Sequence, residues 1–299
     1  MRYAAIDVGS NSCRLLVADI NGEKLQPVYR DLQSTRLGEG LNSEKRLSQV
    51  AMDRTIKCLQ NYGDSISRRE VESYRLVATS AVREALNQNE FQAMVRESAD
   101  FNLEVISAEE EAQLSYLGVK KGLALKQPPL VVDLGGGSCE FRMEDGRECF
   151  SISLPLGVVR ATEATLSVVE TKAILKKVAD HSVKLKDYPL VLVGGTATTL
   201  VAIKLSMEVY DPQQVQGQVL SREEVADLYN LLELMPLNVR RRLPGLQPER
   251  ADIIPAGAMI ILLIMDVLKR QQIIISESDI LEGIIRKLDV AGDGPLPSL

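Results

Sequence analysis

A chain of 299 residues, 45% hydrophobic and 25% charged, is long enough for two domains of ordinary size and has a globular composition. Its net charge of −6 excludes a basic surface that holds nucleic acid by charge, so a polyanionic ligand would need a local site of backbone amides, a few arginines and metal. A single histidine, His181, in the polar run 176–184, excludes Ser-His-Asp triads, HExxH zinc sites and His-Asp metal centres, which leaves acid–base work to carboxylates.

The sequence passes from Met1-Arg2 straight into a strand, so no signal peptide is expected. Strands are predicted at 3–8, 13–20 and 26–32. Between the first two lies Asp7-Val8-Gly9-Ser10-Asn11-Ser12, a turn with amides open to a ligand. The loop Thr35-Arg36-Leu37-Gly38-Glu39-Gly40 follows, and apolar Val50, Ile56, Leu59 and Ile66 predict an amphipathic helix over 47–67. After a strand at 74–78, Thr79 or Ser80 caps a short helix that carries Arg83, placed either to meet a phosphate at the helix start or to form a surface ion pair.

A strand at 103–106 leads to Ser107-Ala108-Glu109-Glu110-Glu111-Ala112, where Ser107 and Glu110 fit a capping box and the acids suit the helix dipole. Gln127-Pro128-Pro129 marks a domain boundary. Next comes the strongest signal, Leu130-Val131-Val132-Asp133-Leu134-Gly135-Gly136-Gly137-Ser138-Cys139-Glu140-Phe141. An apolar strand ends at an acid, three glycines turn the chain, and a second acid follows. Converging loop amides suit phosphate oxygens, while two carboxylates beside a phosphate need a divalent cation between them. The segment aligns without gaps on Ala5 to Leu15, with Asp7, Gly9, Ser12 and Cys13 falling on identical residues. Two copies of a strand, phosphate turn and strand unit imply two related domains gripping one phosphate chain in a cleft.

Helices at 158–164 and 167–184 and a strand at 190–193 follow. The strand runs into Gly194-Gly195-Thr196 at a helix start, a third phosphate or nucleotide contact that tight strand-to-helix packing explains as well. Ser221 and Glu224 fit a capping box for a helix to Leu234. Arg240-Arg241-Arg242 reads as a solvated basic edge, and Arg250, before a buried helix over 253–268, is better placed to reach inward. The apolar run 253–265 is shorter than the roughly 20 residues a bilayer needs. A strand at 272–275, a helix at 279–288 and a flexible tail at 292–299 complete the reading. Cys13, Cys58, Cys139 and Cys149 lack the close spacing of a zinc site or disulfide framework, as expected for reduced thiols in a cytoplasm.

Taken together, Ala5-Ile6-Asp7-Val8-Gly9-Ser10-Asn11-Ser12, Arg36-Leu37-Gly38-Glu39-Gly40-Leu41, Ala78-Thr79-Ser80-Ala81-Val82-Arg83, Glu110-Glu111-Ala112, Val132 to Ser138 and Gly194 to Thr199 resemble the exopolyphosphatase/guanosine pentaphosphate phosphohydrolase family. That family is a branch of the actin, Hsp70 and sugar kinase superfamily, and the motifs occur in its order. The resemblance implies an α/β fold of two ribonuclease H-like (actin-like ATPase) domains with mixed sheets flanking an interdomain cleft. Residues 1–126 would form the first, completed by a C-terminal helix at about 279–299, and residues 127–278 the second. Longer relatives carry a further helical domain, for which these residues leave no room. Ala108, Cys139 and Leu281 depart from the family, the last where arginine is usual, which clouds substrate preference.

The implied activity is removal of the terminal phosphate from inorganic polyphosphate or of the 5′ phosphate from guanosine pentaphosphate, the latter a signal of the stringent response. The implied cofactor is Mg²⁺, or Mn²⁺, on Asp133 and Glu140, with Asp7 as a further metal candidate. Glu111 falls on the catalytic glutamate that activates water, its pKa expected to be raised by nearby acids. Amides of Gly9, Ser10, Asn11, Ser12, Gly135, Gly136, Gly137 and Ser138, with Gly194, Gly195 and Thr196, would hold the phosphate chain. Arg83, Arg36 and Arg250 would bind its remaining phosphates. A homodimer without nucleic acid or membrane partner is expected. The alternatives are a superfamily kinase or ATPase acting on ATP and a non-catalytic sensor of guanosine polyphosphates.

Overall fold

The computed structural model describes residues 1–146 and 148–291. Its strands are β1 (Arg2–Val8), β2 (Cys13–Asn21), β3 (Lys24–Gln33), β4 (Ser73–Ala78), β5 (Leu103–Val105), β6 (Leu130–Leu134), β7 (Cys139–Asp145), β8 (Glu148–Leu154), β9 (Leu190–Val193), β10 (Val219–Ser221) and β11 (Gln272–Ile275). Its helices are α1 (Leu41–Glu44), α2 (Gln49–Ser67), α3 (Ser80–Glu84), α4 (Gln88–Ala99), α5 (Ala108–Gly122), α6 (Val158–Glu163), α7 (Val168–Ala179), α8 (Ser182–Leu185), α9 (Gly195–Lys204), α10 (Pro212–Val215), α11 (Arg222–Leu234), α12 (Leu237–Arg240), α13 (Ile254–Val267) and α14 (Ile280–Ala291). The tail predicted at 292–299 lies outside the described residues. Two compact units emerge: Met1–Gly118 with the chain from Ile280 onward, and Val119–Asp279. The division falls inside α5.

The first unit holds a five-stranded mixed sheet in the order β3-β2-β1-β4-β5. β1 pairs antiparallel with β2 and parallel with β4, so the hairpin lies on one side of β1 and the crossover strands on the other. Strand alternation sends side chains to opposite faces. Ala4, Ile6 and Val8, with Cys13, Leu15 and Val17, pack against Met52, Leu59 and Tyr62 of α2 and Phe91 and Val95 of α4. Tyr3, Ala5, Leu16, Ala18 and Ile20 pack against Leu114 of α5 and Ile280, Ile284 and Ile285 of α14. The sheet is therefore covered on both faces. α14 comes close because residue 283 is glycine: a methyl group there would lie 2.0 Å from the Leu114 carbonyl oxygen.

The second unit repeats the plan in a six-stranded sheet, β10-β11-β9-β6-β7-β8. β6 takes the place of β1, antiparallel to β7 and parallel to β9, and β10 is an added antiparallel edge. Its core gathers around α13, whose buried residues include Ile254, Met259, Ile260, Ile261, Ile264 and Met265. Both units are thus ribonuclease H-like, and the chain is α/β with two mixed sheets.

The predicted strands all form, and the Ser221–Glu224 capping box closes in both directions. Five details differ. The helix predicted over 167–184 forms as two, α7 and α8. Val50 is 64% exposed, whereas Ile56, Leu59 and Ile66 are buried as expected, together with Ala51, Met52 and Thr55. Thr79 stands at the N-cap of α3 without a side-chain cap. Ser107 Oγ accepts from the Glu110 amide at 3.1 Å, but the Glu110 carboxylate goes to Arg75 at 2.9 Å, so only half the expected box forms. Arg240 is a buried strut rather than a solvated edge, donating to the carbonyls of Ala251 and Met235 at 2.7 and 2.8 Å; Arg241 and Arg242 are exposed.

Candidate functional site

In the second unit the loop 135–138 joins β6 to β7, and what shapes it is the start of α6. The amides of Val158 and Val159 donate to the carbonyls of Gly135 and Gly136 at 3.0 and 2.9 Å, and the Arg160 amide adds a longer bond to Gly136 at 3.2 Å. Arg160 Nε donates to the Gly137 carbonyl at 2.8 Å. Every peptide here is trans, so a carbonyl held on one side sends the following N–H to the other. The amides of Gly136, Gly137 and Ser138 are turned away from α6, and among the described residues none donates to a backbone carbonyl. Three adjacent outward amides form a concavity for an anion. The approach requires glycine at position 157, where a methyl group would lie 2.2 Å from the Gly136 carbonyl oxygen.

Asp133 and Glu140 flank this loop as directly opposed residues of the β6–β7 ladder. Glu140 is 2% exposed, and its Oε1 accepts from Ser153 Oγ at 2.8 Å. Like charges facing across a ladder destabilise it, and the two acids together push up the thiol of buried Cys139 after the larger effect of its burial. Such a pair fits a divalent cation. No group of three or more His, Cys, Asp or Glu residues placed to hold a metal ion exists among the described residues, and Mg²⁺ commonly uses one or two carboxylates with water and phosphate oxygens completing its shell.

The first unit builds the same turn with different support. Gly38 and Arg36 donate their backbone amides to the carbonyls of Ser10 and Asn11, both at 2.8 Å, while Gly9 donates to Ser12 at 3.0 Å. This turns the amides of Asn11 and Ser12 outward. Arg36 contributes here through its backbone, in a left-handed conformation (φ 50°). Arg54 steadies the segment by donating to the Thr35 carbonyl at 3.0 Å. Across the ladder from Asp7 stands Arg14, whose Nη2 and Nε reach Asp7 Oδ2 at 2.6 and 3.0 Å. The buried Asp7 charge is thus balanced by a guanidinium where Asp133 faces a second acid.

Glu111 opens α5 at 8% exposure, and Arg83 Nη1 meets its Oε2 at 3.0 Å while also donating to the Ile106 carbonyl at 2.9 Å. Of the two tasks considered for Arg83, the structure shows an ion pair, with Glu111 as its partner. Glu110 is directed elsewhere, to Arg75, which also binds Glu104 at 2.8 Å.

Gly194 and Gly195 lead from β9 into α9. Gly194 has φ +95°, and a methyl group there would lie 2.8 Å from the Leu134 carbonyl oxygen and 3.4 Å from Asp133 Oδ1, so this loop lies beside the Asp133 carboxylate. The guanidinium of buried Arg250 rests on Gly195, its Nε donating to Gln247 Oε1 at 2.9 Å. Thr196 packs against Gly257 of α13. The structure therefore joins Asp133, Gly194, Gly195 and Arg250 in the second unit and Arg83 with Glu111 in the first. Arg14, Gly157 and Arg160 were not singled out from the sequence. The alignment of Arg14 on Glu140 was a visible signal, whereas the tasks of Gly157 and Arg160 exist only once α6 has packed.

A model of the Ppx/GppA phosphatase family matches residues 16–289. The chain belongs to that family. It is 34% identical to Exopolyphosphatase 2 of Mycobacterium tuberculosis, over 96% of this chain and 98% of that protein. It is 33% identical to the bifunctional 3-dehydroquinate synthase/phosphatase of Fusobacterium nucleatum and 31% identical to the guanosine-5′-triphosphate,3′-diphosphate pyrophosphatase of Aeromonas salmonicida. Those matches cover 94% and 95% of this chain but 46% and 58% of the relatives, so the chain spans about half the length of these two. A Ppx/GppA family member from Aquifex aeolicus, 32% identical, superposes with a TM-score of 0.80 over 99% of both chains.

Proposed function

We propose that the chain is a phosphohydrolase acting on anhydride bonds, releasing the terminal phosphate of inorganic polyphosphate or the 5′ phosphate of guanosine pentaphosphate. The observation that carries this reading is a family member that retains both outward-amide loops and a glutamate, Glu111, fixed by an arginine at a helix start. Loose phosphoryl transfer gains most from positioning and charge stabilisation, which these groups supply.

In this reading the amides of Gly136, Gly137 and Ser138 bind phosphate oxygens, as do the outward amides of the Ser10 to Ser12 turn. Arg250 adds positive charge at the Gly194-Gly195-Thr196 turn. Arg83 fixes Glu111 Oε2, so that the carboxylate can orient a water and take its proton. A divalent cation, Mg²⁺ or Mn²⁺, held by Asp133 and Glu140, would neutralise phosphate charge. Asp7 has a weaker claim on metal because Arg14 already balances it. The assembly is taken to be a cytoplasmic homodimer, which sedimentation and fractionation would check. Among the described residues no helix is long and apolar enough to cross a membrane.

The test is phosphate release from each substrate separately, with Mg²⁺ and then with chelator, for the parent and Glu111→Gln. Loss of a general base costs about 10²–10⁴-fold, so a variant within a few fold of the parent sinks the assignment of Glu111. ATP consumption that requires an acceptor would favour a kinase, and binding of guanosine polyphosphates without any release would favour a sensor.

A further inference from the structure

We propose that Arg160 is a positioning residue for phosphate binding, acting through the peptide between Gly137 and Ser138; this rests on the phosphohydrolase reading. Of the three peptides that turn their amides outward in the second unit, two are held by backbone donors, the amides of Val158, Val159 and Arg160. The third depends on a side chain, because the Gly137 carbonyl accepts from Arg160 Nε at 2.8 Å. In the first unit the aligned carbonyl, that of Asn11, is held by the Arg36 backbone amide at 2.8 Å. No substitution at position 36 other than proline removes that donor, whereas a single side-chain change at position 160 removes its counterpart.

A peptide between a glycine and a serine has few barriers to rotation, since Gly137 lacks a Cβ. Without the bond to Arg160, the Ser138 amide would sample orientations in which it no longer meets the anion. The loss would fall on one donor of a preorganised set, and such donors matter most where charge is redistributed in the transition state. The half-buried guanidinium can act in this way without touching substrate.

The test uses the full chain and the variants Arg160→Ala, Arg160→Gln and Arg160→Lys. Kinetic constants are measured on polyphosphate and on guanosine pentaphosphate, and the amide resonances of Asn11 and Ser138 are followed as inorganic phosphate is added. Arg160→Ala should lower kcat about tenfold with a smaller change in KM, below the 10²–10³-fold cost of deleting a donor outright because the amide is loosened and not lost. Its Ser138 amide should no longer respond to phosphate while that of Asn11 still does. Gln and Lys each keep a donor that can reach the carbonyl, and both should recover to within about threefold of the parent.

The inference is overturned if Arg160→Ala matches the parent in kcat and in the Ser138 response. It is also overturned if Gln is as impaired as Ala while Lys is active, since the charge and not the hydrogen bond would then matter. If Ala does not fold, Arg160→Met, of similar length and without a donor, takes its place under the same criteria. A parent that releases no phosphate from either substrate sinks the phosphohydrolase reading instead, and the Ser138 response then decides the role of Arg160 by itself.

Discussion

The two loops that follow β1 and β6 share a backbone plan but differ in charge and support. Asp7 faces Arg14 and Asp133 faces Glu140 at the same ladder position. The first loop is held by amides of the 36–38 segment, the second by the start of α6 and the Arg160 side chain. The two loops therefore share a geometry while their chemistry differs. The first copy sets a guanidinium across the ladder from its aspartate, and the second sets a carboxylate there.

The largest difference should appear when each loop is pushed by its supporting glycine. Gly157→Ala places a methyl group 2.2 Å from the Gly136 carbonyl oxygen and 2.3 Å from the Gly137 nitrogen, both backbone atoms that can yield only by moving the loop. Phosphate release should fall at least about 100-fold, because small displacements of a positioned reactant cost that much. Gly38→Ala meets Ser10 Cβ first, at 2.9 Å, and should cost about tenfold. Equal losses would show that both loops are supported equally rigidly, against the comparison.

Charge is the next distinction. Arg14→Met removes a partner of an aspartate that is 5% exposed, and breaking a buried pair should destabilise the fold by about 3 kcal/mol in urea titrations. Glu140→Gln relieves opposed charges and should stabilise metal-free protein by up to about 1 kcal/mol while abolishing activity. The parent should gain thermal stability on adding Mg²⁺, and Glu140→Gln should lose most of that gain. If Glu140→Gln instead destabilises chelated protein, the second unit is not electrostatically strained and its resemblance to a cation site fails.

Where a sequence signal was local, it was readable. The apolar runs of β6, β9 and β11 and the glycines after Asp7 and Asp133 located the strands and loops, because burial and turning leave marks within a few residues. α4 was not foreseen because Phe91 and Val95 are its buried residues, too sparse a stripe to set a period in twelve residues. β10 is three residues long and is defined by its pairing with β11. Arg83 was read as either a phosphate ligand or an ion pair, and only the fold shows that its partner is Glu111, 28 positions away. Arg240 was misread for a similar reason: a run of three arginines gives no sign that the first turns inward to cap carbonyls.

The smallest effect concerns what the two loops have in common. Cys13 and Cys139 begin β2 and β7, both fully buried, and burial is the main reason that both thiols are pushed well up. Cys58 and Asp7 add to the effect at Cys13, as Glu140 and Asp133 do at Cys139. A raised folded pKa means that the folded state keeps its proton while the unfolded thiol ionises near its ordinary value of about 8.5. Stability from this source is present below that pH and lost above it, by under about 1 kcal/mol per thiol at pH 9. Urea titrations at pH 7 and pH 9 should show a decline in the parent that Cys13→Ala and Cys139→Ala each reduce by a similar amount. Any cavity left by the substitution cancels, since each variant is compared with itself at two pH values. Unequal reductions would mean that the two strand starts differ in more than the charges opposite Asp7 and Asp133, and the parallel between the loops would have to be narrowed to their backbones.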